Sequence, residues 1–168
     1  MPPEKINDDL SKIIFQLSHH YITPLFPPHI TLLGELTGSP EEISIQTRQL
    51  AAHLQPFHVT LTTVDFLNEY FRCLFLRVEE TSNLMEANRE ARIIFHREPD
   101  PAFMPHLSLL YGDFDDVTKK QIINSIGQEF IKSFSVSYIH LISTTGEPKD
   151  WFRIQKNALR GRQSKPHE

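Results

Sequence analysis

The sequence predicts a mixed helix-and-strand fold made from two copies of one strand–helix–strand–strand unit. Internal repetition is the observation that predicts it. Phe26-Pro27-Pro28-His29-Ile30-Thr31-Leu32-Leu33-Gly34-Glu35-Leu36 reads like Phe103-Met104-Pro105-His106-Leu107-Ser108-Leu109-Leu110-Tyr111-Gly112-Asp113-Phe114. The shared pattern is F-x-P-H-[IL]-[TS]-L-L and then G-[ED]-[LF], with Tyr111 as a single insertion. Phe57-His58-Val59-Thr60-Leu61 matches Phe134-Ser135-Val136-Ser137-Tyr138, and each begins 28 residues after its motif histidine. Tyr70-Phe71-Arg72 matches Trp151-Phe152-Arg153. Three blocks in one order divide a single 1–168 domain into units of about 26–78 and 103–156.

Each element has a local reason. The motif segments and the Phe, Val, Ile and Thr-rich blocks after them have the composition of strands. Ser39-Pro40-Glu41-Glu42 supplies a cap, a first-turn proline and two acids, so a helix is expected from there to about Leu54. Asp115 or Asp116 caps a second helix, expected through Phe130, with Ile122, Ile123 and Ile126 on one face. Thr81-Ser82-Asn83 opens a third, through about Phe95. Asn68-Glu69 and Thr145-Gly146-Glu147-Pro148 mark turns. The apolar run Ile13–Leu17 is expected as a further strand, with His19 and His20 in the loop after it. Residues 157–168 are polar and basic, and are expected as a loose tail.

Composition narrows the function. At 168 residues the chain can bury a core without disulfide or metal staples. Seventeen basic against 21 acidic residues give a net charge of −4, which excludes a charge-driven grip on duplex DNA. The one cysteine, Cys73, permits no intrachain disulfide and fits a reducing compartment. No signal-peptide pattern and no apolar run of spanning length is present, so a soluble, cytoplasmic protein is expected, with no membrane partner. No HExxH, paired CxxC, phosphate-binding glycine loop or dinucleotide fingerprint occurs, so no metal and no cofactor are expected. Nothing in the sequence demands more than a monomer.

The chemistry lies in the repeated motif. In a strand, residues i and i+2 share a face. His29 with Thr31, and His106 with Ser108, then form polar pairs opposite the apolar Ile30, Leu32, Leu107 and Leu109. Packed as pseudo-twofold mates, the two units would bring two imidazoles and two hydroxyls to one cleft. A lone Pro-His-x-Thr string is a weak signal, since such a histidine can simply end a strand. Two copies are different, because a repeat preserves core residues and a histidine is a poor core choice. Histidine titrates near neutrality, so one imidazole can accept a proton while the other donates one. The hydroxyls can hydrogen-bond phosphate oxygens.

Two H-x-[ST]-x motifs at this separation resemble the signature of the 2H phosphoesterase superfamily. The second block is especially similar to the cyclic phosphodiesterase branch of plants and fungi, and the likeness runs from about Ile13 to Lys156. The resemblance implies a bilobal, pseudo-twofold α+β fold, with two antiparallel sheets lining a central cleft and helices outside. It implies metal-independent opening of 2′,3′-cyclic nucleotides to 2′-phosphates, and in some members of ADP-ribose 1″,2″-cyclic phosphate. His29 and His106 match the catalytic positions, Thr31 and Ser108 the phosphate-binding positions, and Tyr111 an aromatic beside the cleft that is expected to bind substrate. Plant members carry further cysteines, so redox control through cysteine pairs is absent here. Two other readings remain: an enzyme acting on RNA ends, either as a cyclic phosphodiesterase or by 2′–5′ joining, and a nucleotide-binding module without catalysis. Tyr70, Trp151, Phe71 and Phe152 are candidate aromatics, with one of each adjacent pair facing the cleft. Arg72, Arg77 and Arg153 are expected in strands, solvated or reaching a second phosphate.

Overall fold

The computed structural model describes residues 1–161. The helices are α1 (Glu4–Tyr21), α2 (Pro40–His53), α3 (Ser82–Ile94) and α4 (Asp116–Ile126). The strands are β1 (Phe57–Asp65), β2 (Leu74–Val78), β3 (His106–Leu110), β4 (Glu129–Val136), β5 (Tyr138–Ser143) and β6 (Phe152–Ala158). The fold is α+β, with one four-stranded antiparallel sheet in the order β3-β2-β1-β4 and an antiparallel β5-β6 hairpin. β4 and β5 are separated by Ser137 alone, so one nearly continuous run of chain joins the two sheets.

Capping explains the helix starts. Ser39 and Glu42 form a reciprocal capping box at α2, behind Pro40. The Thr81 and Asp115 side chains accept from backbone N–H groups in the first turns of α3 and α4. α2 packs against β5, β6 and α3, while α3 packs against β1 and α1 against β3. The core between them is aliphatic, with Leu10, Ile14, Leu61, Leu74, Leu76, Leu107 and Leu110 fully buried. Each such side chain contributes about 1.5–3 kcal/mol through burial. Among the described residues, no helix is long and apolar enough to cross a membrane.

Six expectations are corrected. The first motif segment is extended chain with one bridge, Ile30 to Leu107, rather than a strand, because it has no further ladder partner among the described residues. Ile13–Leu17 is helix, part of α1, because Leu10, Ile14 and Leu17 recur at helical spacing and bury one face. His19 and His20 therefore lie in the last turn of that helix, both exposed. α4 stops at Ile126 rather than Phe130, because Gly127 ends it at a φ of 92° and Phe130 enters β4. Tyr70–Arg72 is a turn of 3-10 helix rather than strand, closed by the Arg72 N–H on the Glu69 carbonyl. Residues 157–161 are not loose. Asn157 and Ala158 complete β6, Leu159 is buried, and the N–H groups of Leu159, Arg160 and Gly161 donate to Ser137, Ala51 and Leu54. The rest of the expected tail, 162–168, lies outside the described residues.

Candidate active site

The two motifs meet edge to edge. Ile30 forms an antiparallel bridge with Leu107. Residues opposite one another in such a pair point to the same side, and their neighbours to the other. Leu107 is fully buried, so Ile30 and Leu107 face the core, and His29, Thr31, His106 and Ser108 occupy the opposite face together.

The two imidazoles are held alike. Nδ1 of His29 lies 2.7 Å from the Pro27 carbonyl, and Nδ1 of His106 lies 2.9 Å from the Met104 carbonyl. A carbonyl only accepts, so each Nδ1 carries the hydrogen, and each neutral ring leaves Nε2 as its free, basic nitrogen. Both rings are half-buried. Burial pushes both histidines below the ordinary value, against the carbonyl contacts, which favour the charged ring. The N-terminal ammonium and His106 add to the lowering at His29, and Arg72 adds to it at His106, where Glu69 opposes.

The hydroxyls differ. Thr31 is exposed. Ser108 is buried and donates to the Phe71 carbonyl at 2.9 Å. It therefore ties β3 to the 3-10 turn over Tyr70–Arg72, and it must turn from that carbonyl to donate elsewhere.

Tyr111 stands behind the cleft surface rather than on it. It is 3 % exposed, and Phe26 covers its ring at 3.8 Å between centroids. Burial pushes its hydroxyl well above the ordinary tyrosine range, opposed by the nearby Ser108 hydroxyl. Phe71 and Trp151 pack around it at 5.1 and 6.4 Å. Gly112 follows at a φ of 150°, and its N–H donates to the Tyr70 carbonyl. A Cβ there would lie 2.5 Å from the Phe114 ring, which is why glycine ends the second motif. Trp151 also lies edge-on to His29 at 6.2 Å. Phe71 and Phe152, at 56 % and 61 %, are the more exposed members of their pairs, and Tyr70 is exposed as well at 39 %.

The three candidate arginines part company. Arg72 is paired with Glu69 and Arg77 with Asp65. No carboxylate among the described residues lies within ion-pair distance of Arg153. His58 is exposed, whereas His140 is half-buried, because β5 turns it toward the seam between the sheets.

Sequence reasoning missed the supports of the first motif. Nδ2 of the buried Asn88 donates to the Leu32 carbonyl at 2.7 Å. Nη1 of Arg97 reaches the Gly34 and Glu35 carbonyls. The signal for Asn88 was a polar residue on the face of α3 that also carries Leu84, Ala87 and Ala91.

The chain resembles known proteins in sequence and in fold. A family model described as the 2′-5′ RNA ligase superfamily matches residues 2–148. A cyclic phosphodiesterase of Arabidopsis thaliana is 27 % identical over 120 residues, which are 71 % of this chain and 66 % of that protein. The chain thus spans just under two thirds of that relative's length. The crystal structure of TT0787 of Thermus thermophilus is 18 % identical, covers 96 % of each chain and superposes with a TM-score of 0.67. That of E. coli LigT complexed with 3′-AMP is 17 % identical, with 90 % of this chain and 91 % of that one covered and a TM-score of 0.60. The two structures share the fold, and the family model spans most of the length: this chain belongs to the 2′-5′ RNA ligase superfamily, the 2H phosphoesterases, a family of phosphoester-processing enzymes.

Proposed function

We propose that the protein is a cyclic nucleotide phosphodiesterase that opens 2′,3′-cyclic phosphates to 2′-phosphates. One observation carries the reading: two imidazoles on one face, each fixed through Nδ1–H to a carbonyl two residues before it, each with Nε2 free. One Nε2 takes a proton from water as the water oxygen bonds to phosphorus. The other, protonated, gives its proton to the ribose oxygen as the P–O3′ bond breaks. The proton account closes within the pair, so the step needs no metal. Thr31 donates to a non-bridging oxygen, and Ser108 does so once turned from Phe71. Tyr111 backs the Phe71 and Trp151 rings, and Phe71 offers the exposed ring for a base.

The phosphodiesterase relative and the 3′-AMP bound by LigT support a small nucleotide ligand. The test is turnover of 2′,3′-cyclic AMP in EDTA by the protein and by its His29→Ala and His106→Ala variants. Loss of less than tenfold in both variants contradicts the assignment. The family's description favours one second reading, an enzyme acting on RNA ends, either opening a terminal cyclic phosphate or making the 2′–5′ join. A cyclic-phosphate-ended oligomer turned over far better than the mononucleotide would select it.

A further inference from the structure

A cavity of about 430 Å³ lies at the seam where β4 passes into β5, closed on one side by residues 1–4. Ser135 and Ser137 line it from the seam, His140 from β5, and Arg153 and Lys156 from β6. The hairpin register sets His140 opposite Lys156, and Ile142 opposite Arg153, so the three basic side chains share one face. Glu4 is the one carboxylate among the lining residues, and it is not within ion-pair distance of either Arg153 or Lys156. Lys156 Nζ sits 4.1 Å over the Tyr138 ring. His140 Nδ1 is buried and has no hydrogen-bond partner. Clustered like charges repel, and an anion placed among them relieves the repulsion.

The strand β6, which carries Arg153 and Lys156, follows directly from Trp151 beside the motif face. Trp151, edge-on to His29, is two extended residues before Arg153, so the two side chains project to the same side about 7 Å apart. The N-terminal ammonium bears on both His29 and His140.

We propose that this cavity is a second anion subsite of the same cleft, in which Arg153, Lys156 and His140 take a further phosphate of a nucleotide substrate. The inference rests on the function proposed above, with the reacting phosphate at His29 and His106. A guanidinium and an ammonium bind phosphate oxygens as fork and point charge, and a protonated His140 adds a donor. The site therefore selects substrates with two phosphate groups over cyclic mononucleotides. Burial, the N-terminal ammonium, Arg153 and Lys156 together hold His140 down to about 4, so a bound anion should draw it upward.

The experiment follows the histidine ring signals by NMR while inorganic pyrophosphate is added, alongside turnover of 2′,3′-cyclic AMP. The expected result is that His140 responds and titrates well above 4, and that Arg153→Ala abolishes this response while His29 and His106 still respond to inorganic phosphate. A response at His29 and His106 without His140 overturns the subsite and leaves the catalytic reading standing. A response at His140 in a protein that turns over no cyclic nucleotide retains the anion site and overturns the substrate reading. Repeating the turnover with a cyclic-phosphate-ended dinucleotide and with a cyclic nucleotide carrying a diphosphate identifies the source of the second phosphate. The arm whose KM falls at least tenfold below that of 2′,3′-cyclic AMP, in a manner sensitive to Arg153→Ala, is the source; equal KM values in all three overturn the selection.

Discussion

The first motif and the second present the same face by different means. His106 belongs to β3, which is hydrogen-bonded along its length to β2, with Arg77 opposite His106 and Phe75 opposite Ser108. His29 lies on an extended segment with one bridge, Ile30 to Leu107. Its carbonyls are held instead by side chains: Asn88 on Leu32, and Arg97 on Gly34 and Glu35. The stack of Phe26 on Tyr111 fixes the entry to the segment. A strand ladder and a set of side-chain clamps thus arrive at one imidazole geometry, Nδ1–H on the carbonyl two residues back. The ring geometry is shared, while the backbone support differs.

The largest expected effects lie at the histidines. His29→Ala and His106→Ala should each lower kcat about 10³-fold, within the range that positioned acid–base groups supply. Neither should shift the unfolding midpoint much, since each ring's bond to protein is to one nearby carbonyl. Steady-state kinetics with a thermal melt checks both. Unequal losses of more than a hundredfold would mean that the two rings are not partners.

The next largest effect belongs to the clamp. Asn88→Leu leaves the Leu32 carbonyl without its donor, at a cost of about 1–3 kcal/mol. It should lower kcat about tenfold by letting the His29 segment drift, since small misplacements of catalytic groups are expensive. Denaturant melts and kinetics on the same variant test this. Among the described residues, no side chain from outside the second motif donates to its carbonyls in this way.

The pH profile reads both motif histidines at once. Both motif histidines lie below the ordinary value of about 6.5 in the free protein. The kcat/KM profile reports the free enzyme, so both limbs of its bell should fall on the acid side of 6.5 and place its maximum there. A maximum above pH 7 would contradict the burial argument. His140 bears on stability through the same sign. Its folded value of about 4 is below the unfolded one, so the unfolded chain binds the proton more readily. Its neutral form fits the fold fully above about pH 6.5, and stability falls as pH drops from there toward about 4. His140→Gln should flatten that slope in melts taken across the window.

The smallest effects separate the hydroxyls. Ser108→Ala removes the bond to the Phe71 carbonyl and should cost about 1 kcal/mol of stability. Thr31→Val, at an exposed position, should leave stability unchanged and raise KM or lower kcat several-fold.

The motif faces were legible in the sequence because period-two alternation sets them, and the helix starts because Ser39, Thr81 and Asp115 are capping residues. α1 was not legible from Ile13–Leu17, because a five-residue apolar run fits either period. The longer spacing of Leu10, Ile14 and Leu17 resolves it. Tyr70–Arg72 looked like strand because it echoes Trp151–Arg153, yet the first copy winds into a 3-10 turn before β2. Repetition therefore located the paired motif faces better than it located every element. Tyr111 shows a further limit: sequence placed an aromatic at the motif's end, but only packing decides that its ring supports other rings rather than meeting solvent.

The most direct measurement is hydrolysis of 2′,3′-cyclic AMP in EDTA, with the 2′- and 3′-phosphate products resolved, for the protein and the two histidine variants. The account predicts the 2′-phosphate, formed despite EDTA and lost in both variants. Absence of product, a 3′-phosphate, or turnover that survives both substitutions would contradict it.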